Sequence, residues 1–258
     1  MVLVERVLKW LVLVGVLAAL IAAFTLPIGC GYCLRAVLFE KPVGRVGEIQ
    51  VFAGEGASPA RARTVLRHLP EAVRRVEALI GPKGLRADVV VAPRPAFGEQ
   101  ADYAGAMYSS LLGSPVIVLP IDSVSVDTTA HELVHAVLNN RLSHWRAETA
   151  MPHWFNEGMA TQVDMSNGFG VDALCALVGD YGWPNASALE YSVAFYNTGG
   201  RRELVRNYAW SKGMVWHMRA HGDFDALLTR FLDGQSWQAT LAPLSRSAEP
   251  AIRRNLCI

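Results

Sequence analysis

Five consecutive residues, His131-Glu132-Leu133-Val134-His135, restrict this chain more than any other stretch. Positions four apart on a helix share one face, about one turn from each other. His131 and His135 therefore aim two imidazoles at one point, and Glu132, one step round, reaches the space beside it. Ala130, Leu133, Val134, Ala136, Val137 and Leu138 are apolar on nearly every side of the histidines, so the helix is expected to be buried. Two histidines and a glutamate in such a helix must be satisfied by something. A metal ion does this directly.

The spacing is that of the H-E-x-x-H zinc hydrolases, in which the Glu is the general base. A catalytic zinc needs a third protein ligand and one position left open for water. Glu157, twenty-two residues after His135, lies in a second helix-like run, Trp154-Phe155-Asn156-Glu157-Gly158-Met159-Ala160. Its neighbours Trp154, Phe155, Met159 and Ala160 are apolar, which argues against a solvated charge. Upstream, Val116-Ile117-Val118-Leu119 between Pro115 and Pro120 is written as a strand. Asp127, Thr128 and Thr129 suit the helix N-cap, and Asn139 and Asn140 its end. A chance five-residue match on a surface helix would lack this context.

Together the two runs resemble the gluzincin clan of metallopeptidases, which includes thermolysin-like enzymes and membrane alanyl aminopeptidases, and within it the bacterial peptidase MA-like domains. Residues 154–160 are similar to that clan's W-x-N-E-G-x-A helix, which gives Glu157 the third-ligand role. The resemblance is specific over 131–135 and 153–161, and in layout it extends over roughly 45–235. It implies an α+β, zincin-like fold: a small mixed sheet with the active-site helix, then a mainly helical C-terminal lobe. It also implies that the strand before that helix is a sheet edge beside the cleft, to which a peptide adds through main-chain hydrogen bonds. Metzincins differ, carrying Gly and His where this chain has Leu138 and Arg141. Aminopeptidases of the clan carry Gly-x-Met-Glu-Asn upstream, whose Glu holds the substrate amine. Here Gly105-Ala106-Met107-Tyr108-Ser109 puts Tyr108 in that place. A phenol does not pair with an ammonium as a carboxylate does, so an endopeptidase is expected.

The mechanism implied is hydrolysis of a peptide or protein substrate with Zn2+ held by His131, His135 and Glu157. Glu132 takes the proton of the attacking water and passes it to the leaving amine. For the oxyanion donor, Tyr208 in Tyr208-Ala209-Trp210-Ser211-Lys212-Gly213 resembles the Tyr of a Y-x-x-S helix in MA-like domains. Tyr191, Tyr196 and His217 compete for that role, and a packed aromatic is the plain alternative for Tyr208. Asp164, two turns past Glu157 if the helix continues, is a candidate to orient the histidines. His144 and His153 read as loop or cap residues. Two other functions stay open: a binding or scaffolding protein on a peptidase fold, and a zinc hydrolase of another amide such as a cell-wall crosslink.

Residues 10–34 contain no charged side chain, and about 20 apolar residues span a bilayer as a helix. Residues 1–34 are therefore expected to be an N-terminal membrane anchor or signal segment, an uncleaved transmembrane helix being preferred. Lys and Arg flank both ends of it, so the positive-inside count does not orient it. The catalytic part is expected outside the cytoplasm, by analogy with anchored hydrolases. Cys30 and Cys33 read as structural or lipid-contacting, and Cys175 as core. Residues 35–48 look like a linker, 49–140 like a zincin sub-domain with the H-E-L-V-H helix, and 141–258 like a helical sub-domain carrying the third zinc ligand.

A hydrophobic share of 52% supports a sizeable core, and a net charge of +1 without basic runs gives no sign of nucleic-acid binding. Strands are expected at Ile49–Ala53 and Asp88–Ala92. A helix is expected from Ser58-Pro59 to about Ile80, kinked or split at Pro70. Its Arg61, Arg63, Arg67, Arg74 and Arg75 read as a solvated face. Further helices are expected at 188–196, 202–220, 224–232 and 237–241.

Overall fold

The computed structural model describes residues 9–10, 13–16, 37, 40–93, 105–108, 114–165, 169–220, 222–255 and 257. Most of the apolar segment 10–34, with Cys30 and Cys33, lies outside the described residues. No helix among those described is long and apolar enough to cross a membrane.

The chain is a mixed α/β structure with a small sheet and many helices. Five strands, β1 (Gly44–Val46), β2 (Glu48–Ala53), β3 (Arg86–Ala92), β4 (Ala106–Tyr108) and β5 (Val116–Pro120), lie in the order β1-β2-β3-β5-β4. The centre is parallel, and β1 and β4 pair antiparallel at the two edges. Side chains alternate between faces along a strand. Accordingly Val89, Val91, Ile117 and Leu119 join the main core, while Val90, Ala92, Val116 and Val118 form a smaller cluster on the other face.

Two expectations fail at the sheet. The stretch read as a linker over 35–48 contains β1, which forms a tight hairpin with β2. Gly47, at φ 57°, makes the turn, a conformation that suits a residue without a Cβ. The strand before the helix with His131 and His135, β5, is not the edge. It is paired on both sides, and β4, from the Gly- and Ser-rich stretch, takes the outer position.

Helix α1 (Pro59–Ile80) begins as read, with the Ser58 side chain accepting from the Arg61 amide and Pro59 in the first turn. Ala62, Val65, Leu69, Ala72, Val76 and Leu79 are its buried stripe, and Pro70 sits on the exposed side without ending the helix. Arg75 departs from the solvated face. It pairs with Glu71 at 2.8 Å and with Asp127 at 2.6 Å, and donates to the Val163 carbonyl at 3.2 Å. Helix α2 (Val126–Leu142) carries the H-E-L-V-H run. Its cap is Ser125, whose hydroxyl accepts from the Thr128 amide. Asp127, read as a capping residue, instead stands in the first turn and receives Arg75.

Residues 141–152 contain α3 (His144–Ala150). It leads into α4 (His153–Ala160), α5 (Val171–Tyr181), a 3-10 turn (Ala188–Glu190), α6 (Ser192–Tyr196), α7 (Arg201–Arg219), α8 (Phe224–Leu232) and α9 (Ala242–Asn255). The helix expected at 237–241 is a turn before α9. Trp237 from that turn fills the core against Phe155 and Trp154, with ring centroids 4.9 and 6.0 Å apart. One buried apolar core runs from β2 through α1, α2, α4 and α7 to α9, so the division at residue 140 marks no gap in the packing. Cys175, expected as an apolar core residue, is disulfide-bonded to Cys257 and ties the C-terminal end to α5.

Candidate metal centre

Helix α2 is buried over most of its surface, yet His135 and Glu132 are among its buried residues. Helix α4 supplies the opposite wall. Trp154 and Phe155 anchor it in the aromatic core, and Gly158 lets it lie directly on α7. A Cβ at Gly158 would stand 2.5 Å from the Ser211 carbonyl oxygen and 2.7 Å from Val215 Cγ2. This close approach fixes α4 with Glu157 turned toward α2, where it is 2% exposed.

Three donor atoms converge there. His131 Nε2 lies 3.2 Å from His135 Nε2, and Glu157 Oε2 lies 3.4 Å from the first and 3.6 Å from the second. Tetrahedral zinc sites with bonds of about 2.0–2.1 Å place their ligand atoms about 3.3 Å apart. The observed triangle fits that spacing. Glu157 Oε2 is also a buried oxygen with no hydrogen-bond partner, which is costly unless a cation satisfies it. Among the described residues, His131, His135 and Glu157 form a group able to hold a metal ion.

The surroundings orient these groups. Asn156 Oδ1 lies 2.9 Å from His135 Nδ1, so the ring presents Nε2 to the centre. Glu157 Oε1 accepts the Tyr196 hydroxyl at 2.6 Å and lies 3.5 Å from His153 Nε2. His153 thus begins α4, one turn before Glu157, as a neighbour of the site and not merely a loop residue. Asp164 falls beyond the end of α4; its carbonyl accepts from Lys212 Nζ at 2.9 Å. Tyr208, on α7, has its ring centroid 6.3 Å from that of His131, beside Phe169 and Phe195. Tyr191 is largely exposed, and His217 lies in the last turn of α7.

Charges reinforce the convergence. Burial alone would lower the His135 pKa, but the negative charge of Glu157 beside the ring, with Glu132 and Asn156, raises it to about 9. Burial would likewise raise Glu157, yet the histidines hold it well below the usual carboxylate range. Glu132 is pushed upward by burial, against the opposing pull of His131 and His135. A carboxylate displaced upward in this way is suited to accepting a proton. Gly105 packs against it: a Cβ there would be 2.8 Å from Glu132 Oε1.

The structure therefore brings together His131, His135, Glu132 and Glu157, with Tyr208 at the side. Sequence reasoning did not find Asn156 as the partner of His135 or Tyr196 as the partner of Glu157. The first had a signal, since Asn156 adjoins Glu157. The second had none, because Tyr196 is thirty-nine residues away in a short helix. No family model, curated protein or solved structure matches this chain.

Proposed function

We propose that the protein is a zinc-dependent metallopeptidase of gluzincin type with a zincin-like fold, acting as an endopeptidase. The observation that carries this reading is the triangle of His131 Nε2, His135 Nε2 and Glu157 Oε2, with Glu132 one residue along the same helix. Two imidazoles and one carboxylate are the donor set of catalytic rather than closed structural zinc sites. When bound, the metal supplies Lewis acidity toward a peptide carbonyl and lowers the pKa of water toward ~7. Glu132 receives the proton of the attacking water and returns it to the leaving amine. Tyr208 donates to the oxygen that becomes negative as the carbonyl is attacked. Asn156 keeps His135 in the tautomer that presents Nε2 inward.

Substrate binding follows from the sheet. Strand β4 is the outer strand, and Gly105 at its start touches Glu132. A peptide laid along β4 would pair through main-chain hydrogen bonds and run past the general base. The Cys175–Cys257 disulfide supports a location outside the cytoplasm, where such bonds persist. Residues 10–34 would supply the membrane attachment.

The decisive experiment is metal analysis together with hydrolysis of a broad peptide library. About one zinc per chain and cleavage of internal bonds are expected. Glu132→Gln should keep the metal and lose cleavage by at least ~100-fold. Bound metal without cleavage of any peptide would favour a binding role, and failure to bind metal would end the hydrolase reading.

A further inference from the structure

We propose that Tyr196 is a positioning residue that holds Glu157 to single-oxygen ligation, so that the centre keeps one place open for water. The inference rests on the metal-site reading above and assigns Tyr196 a role different from oxyanion donor.

The two oxygens of Glu157 are in different surroundings. Oε2 faces both histidine nitrogens, while Oε1 accepts the Tyr196 hydroxyl at 2.6 Å and faces His153 Nε2 at 3.5 Å. A phenol-to-carboxylate bond of that length is charge-assisted and among the stronger hydrogen bonds in proteins. A carboxylate with both oxygens available can supply two donors to one cation. Here the second oxygen is held elsewhere, so the side chain supplies one, and with two imidazoles the protein supplies three. That is the count a catalytic site needs.

Tyr196 is itself held firmly. The preceding Phe195 is fully buried, and its carbonyl accepts from the buried Asn207 of α7 at 3.0 Å. The Tyr196 ring packs edge-on against His153, with centroids 5.0 Å apart. A phenol has one proton, and that of Tyr196 is committed to Glu157. Of the two phenols, Tyr208 is the one whose ring stands beside His131.

The test uses the full chain and its Tyr196→Phe and Tyr208→Phe variants, loaded in turn with Zn2+ and Co2+. Tyr196→Phe should bind Zn2+ about 10- to 100-fold more weakly in chelator competition, as for other partners of metal ligands. Its Co2+ form should show weaker visible absorption, reporting a higher coordination number. Tyr208→Phe should keep wild-type affinity and spectrum while losing turnover. X-ray absorption at the zinc edge of the unsubstituted protein reads the ligation without any variant: one carboxylate oxygen at bonding distance is expected. Two such oxygens, or a Tyr196→Phe protein with wild-type affinity and spectrum, would overturn the proposal. If the unsubstituted chain takes up no metal, the metal reading fails and takes this inference with it, a result distinct from failure of the Tyr196 role alone.

Discussion

Asn156 Oδ1 stands 2.9 Å from His135 Nδ1, joining the residue before Glu157 to a histidine on another helix. One short contact therefore sets the tautomer of His135 and ties α2 to α4. Replacing Asn156 by Ala should weaken zinc binding about 10- to 100-fold, with Asp at the same place recovering most of the loss. Competition with a chromophoric chelator measures both.

Gly105 offers a test of Glu132 that leaves His131, His135 and Glu157 intact. A methyl group at that position would stand 2.8 Å from Glu132 Oε1, so the carboxylate must shift. Displacements of about 1 Å in catalytic groups cost up to ~100-fold in rate. Gly105→Ala should lower kcat by ten- to a hundredfold while the zinc content stays at wild type. Steady-state kinetics beside metal analysis separates the two.

Gly158 should show the opposite pattern. A Cβ there meets the Ser211 carbonyl and Val215, both fixed in α7. Overpacking of this kind costs roughly 1–3 kcal/mol. Gly158→Ala should unfold at lower denaturant concentration and also bind zinc less tightly, because α4 carries Glu157 away from the histidines. Denaturant titration and chelator competition should move together.

Acidity provides a fourth test. In the metal-free protein His135 titrates at about 9 against an ordinary 6.5, so the folded state holds that proton more firmly than the unfolded state. Its stabilisation is complete below pH 6.5 and is lost as pH rises through 9. Glu157 is depressed from 4.5, so its contribution is complete above pH 4.5 and is lost as pH falls further. From this pair, chelator-treated protein should be most stable between pH 4.5 and 6.5 and decline toward pH 9. Zinc takes the place of the proton, so the loaded protein should decline less over the alkaline range. Thermal unfolding with and without chelator gives the comparison.

The Cys175–Cys257 bond closes a separation of 82 residues. Loop-closure entropy for that length is worth on the order of 4–5 kcal/mol. Cys257→Ser should lower the unfolding midpoint under oxidising conditions and match wild type under reducing ones.

Legibility in the sequence followed how local each feature is. Helix α1 was readable at both ends because Ser58-Pro59 and Gly81 act on their own neighbours. The 131–135 run was readable because helical period alone places its three side chains. Strands β1 and β4 were hidden, being three residues each and defined by partners rather than by pattern. The true edge of the sheet was hidden for the same reason. The α2 cap was misplaced by two to four residues because Ser125, Asp127, Thr128 and Thr129 all suit the role and only geometry chooses. Cys175 gave no hint of Cys257, since pairing is not written in spacing. Tyr196 was visible only as one of several tyrosines, and its contact with Glu157 depends on how α6 seats against α7.

The unbroken apolar core from β2 to α9 bears on how this protein would take up and release a metal ion. Histidines and carboxylate stand on helices already packed into one apolar core, so the socket exists before the cation arrives. Chelation should strip the centre without melting the scaffold, and readdition should restore it within a mixing time, with no refolding step. Zinc-finger modules, which collapse when demetallated, would behave in the contrary manner.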